Sequence, residues 1–168
     1  MPSSTSADFV ANIKDKEVYY FSSTMLNNDE PHYFICMKRT ANDILILTVG
    51  TKQFDTIRRY IENRSLPMTT LVSIPDKLDD FESPFKKETH VNCNNYFDYT
   101  VDEFKIMFDN NDIKEKGTLP DEYYEKILIG MHDSTVITPE KKLELPKLDN
   151  ETPAVTKGLY VPVQVPNQ

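Results

Sequence analysis

One cluster of polar residues near the middle of the chain has chemical reach: Lys86-Lys87-Glu88-Thr89-His90-Val91-Asn92-Cys93-Asn94. If this stretch is a strand, alternation puts Thr89, Val91 and Cys93 on one face and His90, Asn92 and Asn94 on the other. The second face would gather two cations, two amides and an imidazole in one place. Such a group can hold an anion and move a proton. A solvated sheet face has the same composition, so the sequence leaves both readings open. His32 and His132 have no comparable company.

Gly50-Thr51-Lys52-Gln53 is the second candidate. It lies where an apolar run turns into a helix-period pattern, and backbone amides at a helix start, with Thr51 as cap and Lys52 beside it, suit an anion. Every capped strand-to-helix turn shares that geometry. The stretch is not a Walker loop, and no Gly-x-Ser-x-Gly, His-Glu-x-x-His or Gly-x-Gly-x-x-Gly occurs in the chain. A small-molecule enzyme therefore has no motif behind it. Cys36 and Cys93 are not in a Cys-x-x-Cys pair and have no partner at zinc spacing. They read as buried free thiols in a reducing compartment, with no structural metal and no cofactor expected.

Several elements must position these residues. Residues 1–14 are small and polar and read as a flexible N-terminus. Residues 17–26 and 32–38, rich in aromatic and β-branched types, predict a hairpin around Asn27–Pro31. Ile44–Val49 is apolar and β-branched and predicts a strand buried on both faces. Phe54, Ile57, Tyr60 and Ile61 mark an inserted amphipathic helix over 53–64, in which Asp55 can reach Arg58. Residues 69–74 predict a short strand, 77–84 an acidic loop, and 85–94 the weakly alternating strand that carries His90.

Thr100-Val-Asp-Glu103 is a capping box opening a helix to about residue 108. Residues 109–117 read as a polar loop. Thr118-Leu-Pro-Asp-Glu122 opens a further helix with Leu119, Tyr123, Ile127 and Leu128 inward and Gly130 as its stop. Ser134–Thr138 reads as a last strand or extended end. From residue 139 the proline-rich chain reads as a mostly extended tail, and the valine alternation at 159–165 could add as a strand to this chain or to a partner. The fold class is α+β, with a single globular domain over 15–138.

Composition narrows function further. A chain of 168 residues that is 39% hydrophobic can build one core, and a net charge of −8 argues against non-specific nucleic-acid binding. Residues 139–168 are charge-neutral, so the whole excess belongs to 1–138. A signal peptide pattern and a membrane-length apolar run are both missing, so a soluble, cytoplasmic protein with no membrane partner is expected.

Taken together, His32-Tyr-Phe-Ile-Cys-Met, Ile44-Leu-Ile-Leu-Thr-Val-Gly-Thr, Thr89-His-Val-Asn-Cys-Asn and Gly117-Thr-Leu-Pro-Asp-Glu-Tyr-Tyr-Glu-Lys-Ile resemble the PemK/MazF toxin family across about residues 17–138. The resemblance implies a small antiparallel SH3-like β-barrel with an inserted helix and two C-terminal helices. It also implies a bacterial toxin–antitoxin endoribonuclease that cuts single-stranded RNA without metal, with an antitoxin or other protein partner and a homodimer as further implications. Thr51 matches the family's hydroxyl position, while Asn92 and Asn94 stand where the family has a catalytic Arg and Asp. An amide cannot replace an arginine's charge on a phosphate. Lys86, Lys87, His90 or Arg58 would have to supply it, with Lys52 beside Thr51, or the chemistry is lost. A non-catalytic protein-interaction module that kept the barrel is the alternative.

Overall fold

A strand that is apolar at nearly every position has to be covered on both sides, and that requirement organises this molecule. The structure is a computed structural model and describes residues 5–26, 29–78 and 83–148. Its central strand, β3 (Ile44–Thr51), pairs along its length with β2 (His32–Arg39), which pairs with β1 (Glu17–Phe21), all antiparallel. β7 (Ile113–Thr118) closes the far side of β1.

The other edge of β3 is divided. Ile44–Leu47 pairs with β6 (Phe97–Thr100), whereas Gly50 and Thr51 pair with β5 (Thr89–Asn92), whose outer neighbour is β4 (Leu71–Ile74). The result is a seven-stranded antiparallel sheet with β4 and β7 at its two ends. The expectation of a closed barrel is corrected here, because among the described residues that hydrogen-bonded path stays open. The α+β class holds.

Alternation along β2 and β3 sends side chains into two cores. Ile35, Met37 and Ile46 enter the first with Leu119 and with Tyr124, Ile127, Leu128 and Met131 of α4 (Asp121–Asp133). Phe34, Cys36, Leu45 and Leu47 enter the second with Phe9 of α1 (Ser6–Ala11) and Val101 and Phe104 of α3 (Val101–Asp109). The predicted capping box is present at α3, where Thr100 and Glu103 satisfy each other's amides. The inserted helix is α2 (Phe54–Asn63), with Ile57 and Ile61 buried.

Several expectations are revised. The N-terminal segment is not a frayed end over residues 5–14: Thr5 and Asp8 cap α1, and Phe9 stacks on Phe108 at a ring separation of 4.5 Å. The polar loop expected at 109–117 contains β7, an edge strand whose lysines make it resemble loop. Tyr124 is buried as well as the expected Tyr123, which packs half-buried against the first core, and the Tyr124 hydroxyl donates to Met37 O at 2.7 Å. Ser134–Thr138 forms no strand, since the Ser134 hydroxyl takes the Val136 and Ile137 amides and Thr138 caps α5 (Pro139–Glu144). The start of the predicted tail is thus a helix, and Leu145 after it is buried. Residues 79–82 of the acidic loop and the valine segment 159–165 lie outside the described residues.

α4 continues through Gly130 instead of stopping there. A Cβ at that position would lie 2.6 Å from Thr69 O and 2.7 Å from Cys93 Sγ, so this glycine lets α4 lie directly on the sheet. Gly130→Ala is expected to cost about 1–3 kcal/mol through overpacking, read from the urea midpoint. An unchanged midpoint would contradict this packing.

Candidate functional site

The end of β3 is shaped by Gly50. A Cβ there would meet Thr89 Cγ2 at 2.5 Å, so glycine is what allows β5 to close against β3. The pairing then sets Thr51 opposite His90. The Thr51 hydroxyl accepts from Gln53 N at 3.2 Å and so shapes the turn into α2. The helix cap is Gln53, not Thr51.

A pocket of about 300 Å³ opens at this end of the sheet. Thr51, Lys52, Lys86, Lys87, His32 and Tyr33 line it together with Tyr20, Glu30 and Glu88. Lys52, Lys86 and Lys87 are exposed and form no ion pair with any described residue. Tyr20 and Tyr33 are register partners with ring centroids 4.8 Å apart, and Phe85 meets Tyr33 edge-on at 5.0 Å. His32 Nδ1 lies 2.9 Å from Glu30 O. Three lysines, two glutamates, the Thr51 hydroxyl, an imidazole and two aromatic rings therefore share one concavity.

His90, Asn92 and Asn94 are not among the residues lining this pocket. Of the readings left open for this face, a solvated one does not hold for His90 and Asn94, which are 6% and 2% exposed, while Asn92 is half-buried. The amphipathic helix α2 lies across the His90 side. Phe54 packs edge-on against the imidazole at 5.1 Å, Ser73 Oγ lies 2.7 Å from Nδ1, and Glu88 Oε1 is 3.8 Å from Nε2. Asn92 Oδ1 accepts from both the backbone and the side-chain nitrogen of Asn94, and Asn94 Oδ1 accepts from Ser134 Oγ at 2.7 Å. These amides tie the turn after β5 to the end of α4. Strand alternation fails at Asn94 because β5 ends at Asn92.

Arg58 is also engaged. Its guanidinium meets Glu62 at 3.2 Å and Asp55 at 3.5 Å, and Glu62 foremost, with Asp55, holds its pKa above the usual value. The two cysteines are free and buried, and burial pushes both thiols well above their ordinary range. Among the described residues, no group of three or more His, Cys, Asp or Glu is placed to hold a metal ion. No described helix is long and apolar enough to cross a membrane.

Of the residues singled out by sequence, Thr51, Lys52, Lys86 and Lys87 come together, and the other four do not join them. His32, Tyr20 and Tyr33 were missed as site residues. The expected Asn27–Pro31 turn would set Tyr20 opposite Lys38; β1 instead ends at Phe21, which pairs with His32, and that register sets Tyr20 beside Tyr33. No protein-family model and no curated protein matches this chain.

The arrangement around Asn94 makes it a structural pin. Asn94→Ala would leave the Ser134 hydroxyl proton without its acceptor and remove one of the two donors to Asn92 Oδ1, at a cost of about 1–3 kcal/mol. Urea unfolding checks this, and an unchanged midpoint would show that the pin is dispensable.

Proposed function

We propose that this chain binds single-stranded RNA in the pocket at the end of β3, as a divergent, toxin-like member of the PemK/MazF type whose SH3-like barrel has opened between β4 and β7. The observation that carries the reading is the gathering of Lys52, Lys86 and Lys87 around the Tyr20–Tyr33 pair. Lysines take phosphates, ring faces stack bases without demanding a particular sequence, and a volume near 300 Å³ suits one nucleotide unit. With a net charge of −8, affinity is local and salt-sensitive instead of spread over the surface.

In this reading the RNA is held, not cut. General acid/base assistance needs groups within hydrogen-bond reach of the 2′-hydroxyl and the phosphate. His90 and Asn94 are buried against other partners, and Asn92 is spent on Asn94. Of the four residues matched to cleavage, Thr51 alone reaches the pocket. The bacterial, cytoplasmic setting, an antitoxin or other protein partner, and a homodimer belong to the same proposal. The alternative, a protein-interaction module without catalysis, draws on the outer edge of β4, which is unpaired among the described residues.

Anisotropy with a labelled single-stranded oligonucleotide tests the assignment. The plot of log affinity against log salt, between about 50 and 200 mM, is expected to fall, and Lys86→Ala with Lys87→Ala to flatten its slope by roughly 1.4. The oligonucleotide is expected to stay full length, and His90→Gln to bind as the parent does. Equal slopes for the parent and the double lysine variant, or no binding at low salt, would sink the proposal.

A further inference from the structure

The outer edge of β4 is unpaired among the described residues. Cys93 donates its backbone N–H to Thr70 O at 2.7 Å, and this sets the phase of the β4–β5 ladder. Thr70, Val72 and Ile74 then turn their backbone groups toward β5, while Leu71 and Ser73 turn theirs outward. The Leu71 N–H is taken by Met68 O, and Pro75 has none to give. What remains at the edge is the Leu71 carbonyl and both backbone groups of Ser73. A groove of about 500 Å³ runs alongside, lined by Phe54, Met68, Leu71, Ser73, Lys126 and Ile129. Phe54 and Met68 are 37% and 52% exposed, so apolar surface flanks the free backbone groups. An edge of this kind accepts an extended segment as an added strand.

We propose that the occupant is this chain's own segment Leu159–Val165, which adds to β4 as an eighth strand. Three observations favour it over another partner. The first is reach. Leu148, the last described residue, packs on the first core, and Pro146 O lies 2.9 Å from His132 Nε2 at the end of α4. Thr69, two residues before β4, donates to Asp133 at that same helix end, at 2.6 Å. The ten residues 149–158 can span about 33 Å when extended, well beyond the length of a four-residue strand.

The second is parity. Pro162 lacks an N–H and can sit in an added strand only with its nitrogen turned away from β4. That choice directs the backbone groups of Leu159, Val161, Val163 and Val165 at β4. Residues paired across a ladder share a face, so these four apolar side chains fall on the side of Leu71 and Ser73, where Phe54 lies. The opposite parity would set a proline nitrogen against the Leu71–Ser73 edge. The third is charge: residues 158–168 carry no charged side chain, in a chain that is 27% charged.

Amide hydrogen exchange on the full chain, followed by NMR, tests the pairing. The Ser73 amide is expected to exchange at least about 100-fold more slowly than an unprotected amide. Val161→Asp with Val163→Asp is expected to abolish that protection while Val72 and Val91 stay protected, which shows that the sheet itself is intact. A Ser73 amide exchanging at the unprotected rate in the parent chain would overturn the proposal, as would protection that survives the double substitution. Protection that grows with protein concentration would give the edge to a second copy and equally overturn pairing within the chain.

Discussion

Burial of β3 on both faces is the constraint from which most of the structure follows. With Ile46 on one side and Leu45 and Leu47 on the other, the strand cannot lie at a surface, and α4 and the α1–α3 pair supply the two covers. Each fully buried side chain of this size contributes about 1.5–3 kcal/mol, so no single helix could be removed cheaply. The strand also serves two partners on one edge. Its pairing passes from β6 to β5 between Leu47 and Gly50, and the buried Thr48 hydroxyl beside that gap has no hydrogen-bond partner among the described residues. A hydroxyl in that state costs about 1–3 kcal/mol, a local strain on an otherwise apolar strand.

The division of β3 also makes the pocket. Because β5 joins only at Gly50 and Thr51, the loop leading into β5 carries Lys86 and Lys87 across the ends of β2 and β3, beside Lys52. Three lysines collect there, with Glu30 and Glu88 beside them, although the chain as a whole is acidic. The same joint turns His90 toward α2 and away from the pocket. That separation is why the proposal is for holding RNA and not for cutting it.

Elements whose local chemistry agrees with their surroundings were legible in the sequence. β3 announced itself by its β-branched apolar run and α3 by the Thr100–Glu103 box, whereas the first hairpin was legible in its arms but not in its turn, since β1 ends at Phe21 and pairs there with His32. β7 was hidden because an edge strand protected by Lys114 and Lys116 has the composition of a loop. α1 was hidden because its six residues are weakly apolar alone, and the stack of Phe9 on Phe108 comes from sequence a hundred residues away. The site was half legible for a related reason. Thr51 and the lysines follow from strand ends, but the side on which His90 lies is decided by α2 and by the early end of β5, and alternation encodes neither.

The central claim, that the ligand sits at the end of β3, is tested most directly by NMR titration of the full chain with a short single-stranded oligonucleotide. Binding in the pocket moves the amides of His32, Tyr33, Thr51, Lys52, Lys86 and Lys87 and leaves those of Asn94 and Ser134 in place. Shifts centred on Asn94 and Ser134, or on α3, with the six pocket amides unmoved, would contradict it.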